Sequence, residues 1–220
     1  MRTVSRRQAI GGLFAAGTAV ALVGPTAVAQ ARPVPPATVP NLGGDFLWGV
    51  ASAGFPCEGH APDSNWLRYV AGNPDFDPYG DAVDFFTHYR SDIALAAGLG
   101  ARVYRISIEW ARVQPRPGEW DEAGFAFYDS VLDAMAEYGL RPMLTLDHWV
   151  YPGWAADRGG WAHPDMVGDW LTNARKVVQR YTSRNPIWVT FNETAAYISN
   201  ETGNGGLSVA DVPVMQQRLV

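Results

Sequence analysis

Cysteine is almost absent from this chain of 220 residues: Cys57 is the only one. That excludes an internal disulfide and leaves stability to packing. Lysine is equally scarce. Of the 17 basic residues all but Lys176 are arginines, and past the first few residues they form no cluster, so nothing in the charge pattern serves a nucleic-acid backbone. No His or Cys pair stands at zinc-ligand spacing, so the sequence implies neither a metal nor a cofactor. The apolar run from Ala9 to Val23 is short, alanine-rich and closed off by Pro25, which argues against a stable membrane anchor. Also missing is a Gly-rich phosphate turn after the first strand-like run, which lowers the dinucleotide-binding reading.

What is present begins with a leader. Ser5-Arg6-Arg7-Gln8 precedes the apolar run, and small residues at Ala27-Val28-Ala29 and Ala29-Gln30-Ala31 offer cleavage sites. The pattern is that of an export signal of the twin-arginine type over 1–31. A spacer at 32–41 follows, and from Arg32 to Pro40 it holds four prolines, a stiff extended composition. The leader contains Arg2, Arg6 and Arg7 and no acids. The remainder therefore carries 17 − 3 = 14 basic residues against 22 acidic ones, a net charge of −8. An acidic exported protein suits a neutral substrate and has no attraction for an anionic membrane surface.

From Phe46 onward, apolar strand-like runs alternate with amphipathic helices. Phe46–Val50 reads as the first strand and 81–100 as a helix with Phe85, Phe86, Tyr89 and Ile93 on one face. Arg102–Ile108 is the second strand, and Asp121 caps a helix carrying Phe125, Tyr128, Leu132 and Met135. Met143–Leu146 is the third, with Pro142 at its entrance. Pro164 opens a helix with Val167, Leu171, Ala174, Val178 and Tyr181 along one face. The fourth strand, Ile187–Phe191, ends in Asn192 and Glu193. Strands apolar throughout and joined by helices imply an α/β fold with a parallel sheet, either doubly wound or a (β/α) barrel. Polar and aromatic residues gather at every strand's C-terminal tip, where barrel enzymes keep their chemistry. On local sequence alone, Asn192 and Glu193 are either catalytic groups or caps of the next segment.

Four strand tips in order resemble glycoside hydrolase family 1, the β-glucosidase and β-galactosidase family of (β/α)8 barrels. The residues that carry the resemblance are Phe46–Ala53 with Glu58-Gly59, Tyr104–Trp110, Thr145–Trp149 with Gly159-Gly160-Trp161, and Thr190-Phe191-Asn192-Glu193. It implies a TIM (β/α)8 barrel whose N-terminal half, about four βα units, occupies 42–220. It also implies an exo-acting retaining β-glycosidase that hydrolyses O-glycosidic bonds in a small or oligomeric β-glycoside. Such an enzyme sets two carboxyl groups about 5–5.5 Å apart. By resemblance Glu193 is the acid/base, its proton retained by the second carboxylate's charge and by partial burial. Asn192 corresponds to the donor to the sugar 2-hydroxyl, His148 to the imidazole on the 3-hydroxyl, and Arg105 to the arginine that aligns the nucleophile. Without the resemblance His148 reads as a core residue. Arg105 in a strand calls for an acidic partner, Glu109 being a structural one within reach. Trp149, Trp154 and Trp161 are either sugar platforms or core, with Trp149 carried as a substrate-binding residue.

Three departures from the family pattern qualify the resemblance. Pro56 stands where the family has a glutamine that binds two glycone hydroxyls, so glycone binding is expected to weaken ten-fold or more at roughly 1 kcal/mol per hydrogen bond. Thr194 replaces a proline after the acid/base. The nucleophile, expected on a seventh strand, is absent; Asn200-Glu201-Thr202-Gly203-Asn204-Gly205 superficially resembles its motif but reads as a Gly-rich loop right after strand four and cannot supply it. The expectation is thus an inactive, truncated half. The alternatives are a non-catalytic exported carbohydrate-binding half-barrel, or a related β-glycan hydrolase of other sugar specificity.

Overall fold

A computed structural model describes residues 42–220, so the leader (1–31) and the proline-rich spacer (32–41) lie outside the described residues. Four parallel strands stand in chain order: β1 (Gly49–Ala51), β2 (Val103–Ser107), β3 (Arg141–Asp147) and β4 (Ile187–Phe191). Arg105 pairs with Met143 and Met143 with Ile187, and the side-chain alternation then puts Arg105, Met143 and Thr145 on one face. Tyr104, Ile106, Leu144 and Leu146 point to the other, where they join the main apolar core.

Helices cover that second face. Between β1 and β2 lie α1 (Gly54–Glu58), α2 (Asn65–Gly72) and α3 (Phe85–Gly98). After β2 come α4 (Trp110–Val113) and α5 (Glu122–Glu137), and after β3 come α6 (Gly153–Asp157) and α7 (Met166–Tyr181). Following β4 are α8 (Thr194–Gly203) and α9 (Val212–Arg218). Asp121 caps α5 as its sequence position requires, accepting from the Ala123 and Gly124 amides at 2.8 and 3.3 Å. Phe125, Tyr128, Leu132 and Met135 are buried on that helix, each such burial contributing about 1.5–3 kcal/mol. Among the described residues no helix is long and apolar enough to cross a membrane.

Several boundaries differ from the sequence reading for identifiable reasons. The first strand is only Gly49–Ala51, and Phe46, Leu47 and Trp48 are exposed. β1 is an edge of the sheet, so its N-terminal residues have a neighbour on one side only, and the Trp48 carbonyl alone reaches over to the Arg102 and Val103 amides. Helix α3 starts at Phe85 rather than near Asp81, because Asp84 takes a left-handed backbone (φ 54°) and caps it from there. Helix α7 starts at Met166, past Pro164, and the side it buries is Met166, Trp170, Ala174, Val177 and Tyr181. Val167, Leu171 and Val178 are only partly buried. Two adjoining stripes of this helix are apolar, and the one carrying Trp170 wins because that ring stacks on Phe191 of β4 at 4.6 Å. Finally, Asn200–Gly203 is not loop but the last turn of α8, with Glu201 fully buried.

Candidate active site

The polar tips of β2, β3 and β4 meet at one point. Arg105 sends Nε to the Thr145 hydroxyl at 2.8 Å and a terminal nitrogen to the Asn192 Oδ1 at 2.7 Å, bridging three strands. Because the guanidinium can only donate, it fixes the amide orientation of Asn192. The Asn192 NH₂ is left as a donor without a protein partner among the described residues. The backbone of Asn192 is held twice, its N–H by the Asp147 carbonyl (3.0 Å) and its carbonyl by the Trp149 indole N–H (2.7 Å). Trp149 has a left-handed backbone (φ 73°), stabilised where its amide donates to the Asp147 carboxylate at 2.9 Å. Its ring stacks with Trp66 and Tyr197, each at 6.3 Å.

His148 is the least satisfied group of the set. Its Nδ1 is buried without a hydrogen-bond partner. Burial and then the Arg105 charge push its pKa down to about 4, so near neutrality the imidazole is uncharged and able to accept or donate one hydrogen bond. It opens onto a cleft of about 450 Å³ walled by Phe55, Pro56, Trp66, Tyr79 and Trp149. Pro56 stands in that wall, so the position at which the resemblance expects an amide contributes hydrocarbon.

Two expectations need correction. Arg105 forms no ion pair among the described residues, and Glu109 is not its partner. The Glu109 amide is pinned by the Tyr128 hydroxyl at 3.0 Å and its carboxyl by Ser107 at 2.5 Å, on the side of α1. Glu193 is exposed, not partly buried, at the N-terminal boundary of α8 with φ 42°. β4 is the other edge strand: Asn192 at its tip is buried under Arg105 and Trp149, whereas Glu193, one residue further, is left exposed. Of the tryptophans, Trp161 is core, its N–H on the Tyr197 hydroxyl (2.7 Å), and Trp154 is tied to the Gln114 carbonyl (3.0 Å). Trp149 holds the site together through its N–H and also lines the cleft.

The sequence reading missed a set of buried acids. Glu58 pairs with Arg112 at 2.9 Å and accepts from Tyr128 at 2.8 Å. Beside it, burial and then the Glu58 charge push Glu109 up to about 8. Asp147 is raised to about 7 by burial, which outweighs the Trp149 amide. The signal available was an acid set in an apolar run, as with Glu109 between Ile108 and Trp110. Among the described residues no three His, Cys, Asp or Glu side chains converge as a metal site.

A parallel sheet of βα units thus brings Arg105, His148, Asn192 and Glu193 from three successive strands to one end of the sheet. Residues 39–210 match glycosyl hydrolase family 1, and the chain belongs to that family as its N-terminal part. It is 37% identical over 177 residues to thermostable beta-glucosidase B of Thermobispora bispora, covering 76% of this chain and 37% of that protein. It is 38% identical to the phospho-cellobiase of Klebsiella oxytoca, over 67% of this chain and 36% of the relative. Among solved structures, the AHE enzyme from Alicyclobacillus herbarius superposes with a TM-score of 0.73 at 30% identity, covering 80% of this chain and 43% of that one. Beta-glucosidase from Thermotoga maritima in complex with castanospermine gives 0.73 at 26% identity, over 79% and 43%. The chain thus spans well under half the length of these relatives.

Proposed function

We propose that this chain supplies the acid/base half of an exo-acting retaining β-glycosidase, β-glucosidase-like in substrate class. In this reading Glu193 protonates the leaving oxygen and later deprotonates water. Asn192 donates to the sugar 2-hydroxyl, His148 meets the neighbouring hydroxyl and Arg105 waits for the nucleophile. The observation that carries the reading is the Arg105–Asn192 hydrogen bond of 2.7 Å. It turns the Asn192 NH₂ outward as a fixed donor, the arrangement that stabilises charge developing on a sugar ring. Export through a twin-arginine leader at 1–31 belongs to the same proposal and rests on the sequence pattern alone.

Residues 42–220 by themselves bind a β-glycoside without turning it over, since the Arg105 guanidinium has no carboxylate partner here and double displacement needs a second carboxyl. Incubating the chain with 4-nitrophenyl β-glucoside tests this. Saturable binding with no nitrophenol release is expected. Release abolished by Glu193→Gln would place a complete catalytic pair in this chain and overturn the half-site account. Failure to bind would overturn the glycoside reading itself.

A further inference from the structure

The most enclosed acid of the molecule takes no part in that chemistry. Glu201, on α8, is 0% exposed, and among the described residues no cation pairs with it. Both carboxyl oxygens are instead covered by neutral donors. The Tyr151 and Tyr69 hydroxyls donate to Oε2 at 2.6 and 3.1 Å, and the Asn65 amide donates to Oε1 at 3.0 Å. Asn65 then reaches the site. The same Nδ2 donates to the Trp149 carbonyl at 2.9 Å, while Oδ1 accepts from the Tyr151 amide at 3.0 Å and the Asn65 N–H donates to the Tyr151 carbonyl at 3.1 Å. One side chain thereby brackets the turn from Trp149 to Tyr151, in which Trp149 has a left-handed backbone.

We propose that Glu201 is a positioning residue for the strand-tip site. Through Asn65 it holds the Trp149 turn, and the turn in turn sets the Asn192 carbonyl and the two cleft walls, Trp66 and Trp149. The chain is shaped around this arrangement. A Cβ at Gly206 would stand 1.7 Å from the Tyr69 hydroxyl and 2.7 Å from Glu201 Oε2, so only glycine lets the cluster close. The Gly206 and Leu207 amides both end on the Glu201 carbonyl, at 2.9 and 3.1 Å. A carboxylate suits the place because it accepts on both oxygens, whereas a carboxylic acid or an amide must present a donor to one of the three donors already there. Burial raises the Glu201 pKa to about 7, so the bracket loosens as the carboxyl takes up its proton. The titratable groups facing Glu201 are Tyr69 on α2, Tyr151 beyond β3, Asp147 on β3 and Tyr197 on α8 itself.

The test reads the near-ultraviolet circular dichroism of the Trp66–Trp149 stack, identified as the band lost in Trp149→Phe, in the full chain between pH 5 and 9. In the wild type the band is expected to strengthen with a midpoint near 7. Glu201→Gln keeps the far-ultraviolet spectrum, halves the band or more and abolishes its pH dependence. Asp147→Asn, whose remaining oxygen still accepts from the Trp149 amide, retains the transition. A pH-invariant wild-type band overturns the proposal without any variant, as does a transition that survives Glu201→Gln. Should that variant fail to fold, Asn65→Ala takes its place, with the same loss of band expected and an unchanged band overturning. That the strand-tip site takes a sugar rests on the glycosidase reading, so calorimetry with methyl β-glucoside forms a separate arm, with a Kd at least five-fold higher in Glu201→Gln. No binding by the wild type sinks the glycosidase reading and leaves the spectroscopic arm standing. Equal binding by both proteins sinks the positioning role.

Discussion

Arg105 shows how far residue identity carries and where it stops. A strand arginine calls for an acceptor, and the sequence offered Glu109. The structure gives it Thr145 and Asn192 instead, acceptors 40 and 87 residues along the chain that no local spacing reveals. Asn192 and His148 stand at the ends of strand-like runs, but on local sequence Asn192 was equally a cap and His148 read as core; only the resemblance singled them out. The exposure of Glu193 was not legible, since it depends on what packs over an edge strand. Two outcomes belong to this scale. Arg105→Leu frees the Asn192 amide to rotate, and the Kd for methyl β-glucoside rises about ten-fold by calorimetry, roughly the loss of a hydrogen bond to a charged group. Pro56→Gln replaces hydrocarbon in the cleft wall by an amide. It lowers the same Kd about ten-fold, on the order of 1–1.5 kcal/mol, while an unchanged Kd would show that Pro56 does not face the sugar.

Among the elements, long periodic helices and central strands were readable and short connecting pieces were not. α5 appears where its capping aspartate and apolar stripe place it. α1, α4 and α6 are too short for a period to emerge, and their positions come from tertiary bonds, such as Gly54 N–H to the Ser107 hydroxyl at 2.7 Å. α7 carries two apolar stripes, so its buried side was decided only by the Trp170–Phe191 stack. Trp170→Ala is accordingly expected to cost about 3–5 kcal/mol in urea unfolding, whereas Leu171→Ala, on the partly buried stripe, costs clearly less. At the turn after α1, Gly59 has φ 77° and a Cβ there would lie 2.3 Å from the Asp81 carbonyl oxygen. Gly59→Ala should therefore destabilise by about 2 kcal/mol or more.

As a whole the molecule keeps several acids inside, and this sets its response to pH. Glu109, Asp147 and Glu201 have pKa values raised to about 8, 7 and 7. Between their ordinary values and these, the folded chain holds protons that the unfolded chain has released, so stability falls as pH rises. His148, lowered to about 4, acts oppositely below its ordinary value of 6.5, one group against these acids and Glu58, which burial also raises. The melting temperature is expected to fall steadily from pH 5 to pH 8, and Glu109→Gln with Glu201→Gln should flatten the slope. A melting temperature that rises over this range would contradict the burial of these groups. Composition spoke only to net charge here; which acids are enclosed is a property of the assembled layers. At the same scale stands the claim that the strand tips form one side of a β-glycoside site. Calorimetric titration of the full chain with methyl β-glucoside, set beside Asn192→Ala, tests it most directly. The account predicts saturable binding by the wild type and a Kd at least five-fold higher in the variant; equal affinities, or no binding by either, would contradict it.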